Sequence, residues 1–119
     1  MAYENTVLSL NPDGEMLAPH EAVLRESGFE VISVATPLDA RFEIAMGRCG
    51  VFLASSVTSF AICRDLSGLF RQSCPDGLVA FVTQSGDYEV IDADIFLSLQ
   101  DEPQSLVQKI RSEQTRKAS

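Results

Sequence analysis

Residues 7–14, VLSLNPDG, join a short apolar segment directly to a cluster of turn-forming residues. Residues 7–10 are typical of a buried strand. The following Asn-Pro-Asp-Gly stops a strand, because proline lacks a backbone donor while asparagine, aspartate and glycine favour turns. The junction therefore places Asn11, Pro12 and Asp13 at the carboxyl end of a strand. In open α/β sheets the ligand sites lie beyond that end, so these residues are the first candidates for a site.

Apolar segments and helical patterns alternate along the rest of the chain. One helix is predicted to begin at Thr36, a capping residue, with Pro37 in its first turn. The alternation predicts an α/β fold with a parallel sheet covered on both faces. The connection at residues 85–92, SGDYEVID, is too short for a helix of about three turns. Strands are predicted at residues 6–10, 29–35, 49–54, 77–84 and 93–99.

Length and charge narrow the class of protein. A chain of 119 residues fits a single domain, and we expect a core at about residues 6–112 with a frayed tail at 113–119. No apolar run approaches the roughly 20 residues of a membrane helix. The start, MAYENTV, lacks the features of a signal peptide, so a cytoplasmic location is expected. The net charge of −8 repels phosphate backbones and argues against nucleic-acid binding.

The cysteines and the single histidine do not form a recognisable site in the sequence. Cys49, Cys63 and Cys74 contain no CxxC pair and are expected to be reduced thiols, the first two behaving as small apolar side chains. With one histidine, His20, no zinc site of the usual His/Cys spacing can be formed. His20 itself is expected to be a half-buried residue of the first helix. The sequence therefore predicts no metal, no cofactor and no catalytic residue.

Several short segments occur in an order that resembles the receiver (CheY-like) domain of bacterial two-component response regulators. They are ESGFEV after the first helix, LASS and FVTQ at two strand ends, and DADIFLSL at the fifth strand, with Ala40 at the position of an alanine in the second helix. The resemblance implies a flavodoxin-like three-layer sandwich with a five-stranded parallel sheet of order 2-1-3-4-5. The fourth helix is expected to be shortened or missing.

The resemblance fails at the residues that carry phosphotransfer. The acidic pair that holds Mg²⁺ in receivers falls on Asn11 and Pro12. The phosphoacceptor aspartate falls on Ser55, or on Ala54 if the register slips by one residue. Thr83 keeps the switch hydroxyl of the family. The lysine that pairs with the phosphate falls on Leu99, and the following cis-proline on Gln100.

These replacements remove the chemistry of an aspartyl phosphate. Mg²⁺ prefers hard oxygen ligands, and here Asp13 is the one carboxylate left that could lean into the site. A serine hydroxyl needs an adjacent base before it acts as a nucleophile, and Leu99 cannot neutralise a phosphate. The sequence therefore predicts a degenerate receiver, or pseudo-receiver, that is not phosphorylated on aspartate. Such a protein would be a non-catalytic interaction or regulatory module in signal transduction.

Three hypotheses follow for what the domain does. The first is contact with a protein partner or a second copy through an apolar surface. Alternatively, the apolar residues of that surface only cover the short fourth connection. The second is a flavodoxin-like small-ligand site at the polar carboxyl edge of the sheet. The third, an enzyme with Ser55 or Cys74 as nucleophile, is disfavoured because there is no GxSxG motif and no nearby base. The candidate surface consists of Tyr88, Val90, Ile91 and Phe96, and the polar edge of Asn11, Asp13, Ser55, Ser56, Thr83 and Gln84.

Overall fold

The computed structural model describes residues 3–84 and 92–118 of the chain. Strands and helices alternate as the sequence predicts, with strand bounds at or inside the predicted ones except at β3, which ends one residue later than predicted. The elements are β1 (Thr6–Leu10), α1 (Ala18–Glu26), β2 (Glu30–Val34), α2 (Pro37–Met46), β3 (Val51–Ser55), α3 (Phe60–Ser73), β4 (Leu78–Thr83), β5 (Ile95–Ser98) and α4 (Gln104–Ala118).

The five strands form one sheet in the order β2-β1-β3-β4-β5, and every neighbouring pair is parallel. This confirms the predicted fold class and strand order. The prediction of a shortened or missing fourth helix concerns the connection between β4 and β5. Residues 85–91 of that connection lie outside the described residues. The fourth helix of the described part, α4, follows β5.

Helices cover both faces of the sheet and complete three layers. Side chains of β1 alternate between the faces, so that Val7 joins one apolar cluster while Leu8 and Leu10 join the other. Helices α1 and α4 pack together on the first face, and α2 and α3 pack together on the second. No helix in the described residues is long and apolar enough to cross a membrane.

Local sequence explains where two of the helices begin. The Thr36 hydroxyl accepts a hydrogen bond from the Asp39 amide at 3.1 Å and caps α2, as predicted. The same helix ends at Gly47, whose φ of 69° is strained for any residue with a Cβ. The Ser59 hydroxyl caps α3 by accepting from the Ile62 amide at 3.4 Å. These caps fix the directions in which the chain leaves the carboxyl edge of the sheet.

The expectation of a frayed tail concerns residues 113–119. Helix α4 continues to Ala118 and is held to the domain by side chains of its last turns. Gln114 Nε2 donates to the Glu4 carbonyl at 2.9 Å, and Lys117 Nζ donates to the Gly77 carbonyl at 3.1 Å. Gln114 and Lys117 therefore reach backbone acceptors at the amino edge of the sheet.

Candidate functional site

The carboxyl ends of the strands bring the sequence-predicted pocket residues to one edge of the sheet. Ser55 pairs with Val82, and Thr83 pairs with Ser98, in the parallel register of β3, β4 and β5. The Leu99 amide donates to the Thr83 carbonyl at 3.0 Å and continues this pairing. Asn11 follows β1 on the same edge, and its backbone N–H donates to the Val34 carbonyl at 2.9 Å.

Asn11 is buried, and both ends of its side chain are used within the protein. Its Oδ1 accepts from the Leu17 amide at 3.3 Å, and its Nδ2 donates to Glu21 Oε2 at 3.4 Å. The side-chain amide of Asn11 therefore links the end of β1 to the start and the first turns of α1. A metal ion would have to replace the Leu17 amide at the Asn11 oxygen.

Asp13 caps the turn that follows β1 instead of leaning into the pocket. Its Oδ1 accepts from the amides of Glu15 at 2.9 Å and Met16 at 3.1 Å, and the side chain is exposed. These backbone hydrogen bonds lower the pKa of the Asp13 carboxyl below its ordinary value. Pro12 is exposed and offers no side-chain ligand. The NPDG segment is thus a well-formed turn.

Glu21 was missed by the sequence analysis. Its carboxylate is buried beneath the ends of β1 and β2, where Oε2 accepts from the Ser9 hydroxyl at 2.7 Å and the Ser33 hydroxyl at 2.8 Å. Ser9 and Ser33 are register partners on the two strands. The available signal was that Glu21 shares the inward stripe of α1 with Leu17 and Leu24, at four- and three-residue spacing.

Ser55, the last residue of β3, is fully buried. Its Oγ has no hydrogen-bond partner among residues 3–84 and 92–118, so no base within that part of the chain activates it. Thr83 is also fully buried, at the end of β4. The Ser55 hydroxyl is therefore shielded from any phosphoryl donor in solution.

Leu99, which follows β5 at the carboxyl edge of the sheet, is 37 % exposed. Lys109 of α4 donates its Nζ to the Phe96 carbonyl at 2.9 Å. No cis peptide bond occurs in the described part of the chain, so the step from Leu99 to Gln100 is trans. The edge thus presents an apolar side chain where a phosphate would need a cation.

The Mg²⁺ that the family resemblance implies does not fit these residues. Within the described ranges, no group of three or more His, Cys, Asp or Glu side chains could hold a metal ion. The Asn11 oxygen is bonded to an amide, Asp13 Oδ1 caps a turn, and Ser55 offers a neutral, buried hydroxyl. Hard oxygen ligands are too few for an octahedral site.

His20 is 2 % exposed, so the expectation of a half-buried residue is wrong. Neither ring nitrogen has a hydrogen-bond partner among the described residues. Burial of the ring lowers the pKa of His20, because removal from water disfavours the charged imidazolium. The sequence pattern placed His20 on the inner stripe of α1 but could not show how completely α1 is covered.

The three thiols are buried or half-buried and form no disulfide with one another. Burial raises the pKa of Cys49 to about 12 and that of Cys63 to about 11. Burial also raises the pKa of Cys74, which lies with Cys49 on a cleft of about 540 Å³ at the amino edge of the sheet. Protonated thiols are poor nucleophiles and poor metal ligands.

The candidate interaction surface is described only in part. Tyr88, Val90 and Ile91 lie outside the described residues. Phe96 is half-buried and packs against the apolar cluster on the α2–α3 face of the sheet. Its ring therefore contributes to the core as well as to any surface around β5.

Comparison with solved structures decides the fold. A receiver domain from Clostridium thermocellum superimposes with a TM-score of 0.72 at 18% identity, covering 95% of this chain and 96% of that chain. A CheY-like receiver domain from Methanospirillum hungatei gives 0.76 at 17% identity, covering 95% of each chain. A response regulator described as putative, from Chloroflexus aurantiacus, gives 0.75 at 22% identity, covering 93% and 98%. This chain has the receiver-domain fold. No protein-family model and no curated protein sequence matches it.

The similarity covers nearly the whole of each chain. The edge of this receiver fold is tied together by its own side chains at Asn11 and Asp13 and is apolar at Leu99.

Proposed function

We propose that this receiver-fold protein is a pseudo-receiver, a non-catalytic interaction module that is not switched by aspartyl phosphorylation. The observation that carries the proposal is the environment of Ser55. It stands at the end of β3 with its hydroxyl fully buried and without a hydrogen-bonded base in the described residues. A nucleophile needs both access to the donor and a base, and Ser55 has neither.

The neighbouring residues support the same proposal, because each has taken a structural role. Asn11 joins β1 to α1, and Asp13 holds the turn through two backbone amides. Leu99 presents no charge to a phosphate. A single substitution would therefore not restore phosphotransfer activity.

The experiment is incubation of the full chain with acetyl phosphate and Mg²⁺, followed by intact-mass measurement. We expect no phosphoryl adduct on the native chain and none on Ser55→Asp, which still lacks the acidic pair and the lysine. Asp13→Asn serves as the control that separates adventitious labelling of the exposed carboxylate from a pocket reaction. An adduct that forms on the native chain and survives Asp13→Asn would contradict the proposal.

A protein partner or a second copy is the proposed target of the module. With a net charge of −8 the chain repels polyanions, which supports contact with protein over nucleic acid. We propose that the module works in the cytoplasm without a membrane contact, in keeping with the absence of an apolar run of membrane length.

A second candidate function, small-ligand binding at the carboxyl edge, is favoured by one observation. Thr58 Oγ1, like Ser55 Oγ, is buried without a hydrogen-bond partner among the described residues, and both lie in the segment that leads from β3 into α3. Unsatisfied buried hydroxyls are rare in folded proteins and a polar ligand would satisfy them. A thermal-shift series with nucleotides and small anions tests it. A rise in melting temperature that Thr58→Val abolishes would support it, and no rise with any compound would reject it.

A further inference from the structure

Helix α2 exposes a line of large apolar side chains. Leu38, Phe42 and Met46 are 75%, 58% and 50% exposed, and they recur at four-residue spacing along one face. The face toward the core is formed by Ala40 and Ile44, which lie about 160° around the helix from Phe42. The apolar line therefore points directly away from the domain. It is called the α2 stripe below and consists of Leu38, Phe42 and Met46.

The stripe has no role in the core. Single exposed apolar residues are ordinary on protein surfaces, but a contiguous group of large ones marks a contact site. Contacts within the stripe add only about 0.2–0.5 kcal/mol per pair to the helix, far less than burial of the same side chains against a partner would. The three side chains are arranged as the anchors of a helix that packs against another element.

The charged residues beside the stripe differ in sign on its two sides. Asp39 and Glu43 lie on one side, and Arg41 lies on the other, at about 100° per residue. Asp39 and Arg41 are exposed and form no ion pair within the described residues, whereas Glu43 pairs with Arg48 at 3.0 Å. In a chain with a net charge of −8, this helix face is nearly neutral and carries unpaired charges of both signs.

We propose that the α2 stripe is the contact surface for a second copy of this chain, with the two α2 helices parallel about a two-fold axis. In that packing Phe42 meets Phe42, and the acidic side of one stripe faces the basic side of the other. Arg41 lies about 3 Å along the helix axis from both Asp39 and Glu43, so its height falls midway between those of the two acids of the second copy. Antiparallel packing would instead place the two Arg41 side chains together.

This inference rests on the proposed function and names the partner of the module. Its test measures self-association and does not involve the pocket, so the two proposals fail independently. Sedimentation of the full chain over a concentration series gives the dimer dissociation constant. Phe42→Asp is expected to raise that constant by on the order of tenfold or more, because it removes two apolar anchors from the dimer. Val57→Asp, at an exposed apolar residue outside α2, is the matched control and is expected to leave it unchanged.

Charge reversal tests the parallel arrangement. Arg41→Asp and Asp39→Arg are each expected to weaken self-association, since each places like charges opposite one another. An equimolar mixture of the two variants is expected to associate again, because both cross-pairs then carry opposite charges.

Circular dichroism confirms that each variant is folded. A native chain that stays monomeric at millimolar concentration overturns the proposal, and so does a Phe42→Asp variant that associates like the native chain. A mixture that does not recover overturns the parallel pairing.

Discussion

The Glu21 carboxylate accepts the Ser9 hydroxyl at 2.7 Å, deep beneath the end of β1. In a receiver fold, carboxylates at this strand end would hold a metal ion. Here the carboxylate belongs to α1, and it accepts hydrogen bonds from two neighbouring hydroxyls and a side-chain amide. At this edge of the sheet the carboxylate therefore has a structural role.

Replacement of Glu21 is therefore expected to destabilise the domain. Glu21→Ala removes the acceptor of two hydroxyls and leaves the Ser9 hydroxyl buried without a partner, at a cost of about 2–4 kcal/mol in the free energy of unfolding. Urea denaturation measures this. Glu26→Ala, at an exposed residue of the same helix, is the control and is expected to cost less than about 0.5 kcal/mol. Equal effects of the two substitutions would mean that the buried network does not stabilise the fold.

Burial of His20 predicts a loss of stability in mild acid. The folded protein lowers the pKa of this imidazole below its ordinary value of 6.5 and so favours the neutral ring. As the pH falls below about 6.5, the unfolded chain binds a proton that the folded chain does not, and the free energy of unfolding decreases. The contribution is at most about 1.4 kcal/mol per pH unit and ends once the pH passes the folded pKa.

The measurement is the free energy of unfolding of the native chain and of His20→Phe from pH 8 to pH 5. The native chain is expected to lose stability more steeply below about pH 6.5, and the difference between the two curves isolates the histidine from the carboxylates, which titrate mainly at lower pH. Parallel curves would show that His20 is not held neutral in the fold.

Thiol reactivity is expected to be low in the native protein. Because burial raises the pKa of Cys49 to about 12 and of Cys63 to about 11, both remain protonated at pH 8. A chromogenic disulfide reagent should label these two thiols slowly in native buffer and all three cysteines rapidly in guanidinium chloride. Cys74, which is half-buried, is expected to react first. Rapid native labelling of Cys63 would contradict the burial of its side chain.

The last turns of α4 are expected to contribute to stability. Deletion of residues 113–119 removes the contacts of Gln114 with Glu4 and of Lys117 with Gly77, and should lower the free energy of unfolding by on the order of 1–2 kcal/mol. Arg116→Ala, at a side chain that is 76% exposed, is expected to change it little. A truncated chain as stable as the full one would support the expectation that this tail is frayed.

The sequence was sufficient for the architecture and for part of the pocket. Alternating apolar segments and caps such as Thr36 are local features, and they predicted the parallel α/β sheet. The strand order and the shared edge of Ser55, Thr83 and Leu99 were implied by the resemblance to receiver domains. Glu21 could not be predicted as a hydroxyl acceptor, because its partners come from two strands distant in sequence. The anchoring of Lys117 likewise depends on where the end of α4 lies against the amino edge of the sheet.

Amide NMR spectra of the full chain, recorded alone, then with Mg²⁺, then with Mg²⁺ and beryllofluoride, test the central claim most directly. Beryllofluoride mimics an acyl phosphate on a receiver aspartate. The account predicts that neither addition moves the resonances of Asn11, Ser55 or Thr83, because their side chains offer no metal site and no carboxylate. Saturable shifts clustered at these strand ends would contradict it, since they would show that the edge still binds the ligands of a working receiver.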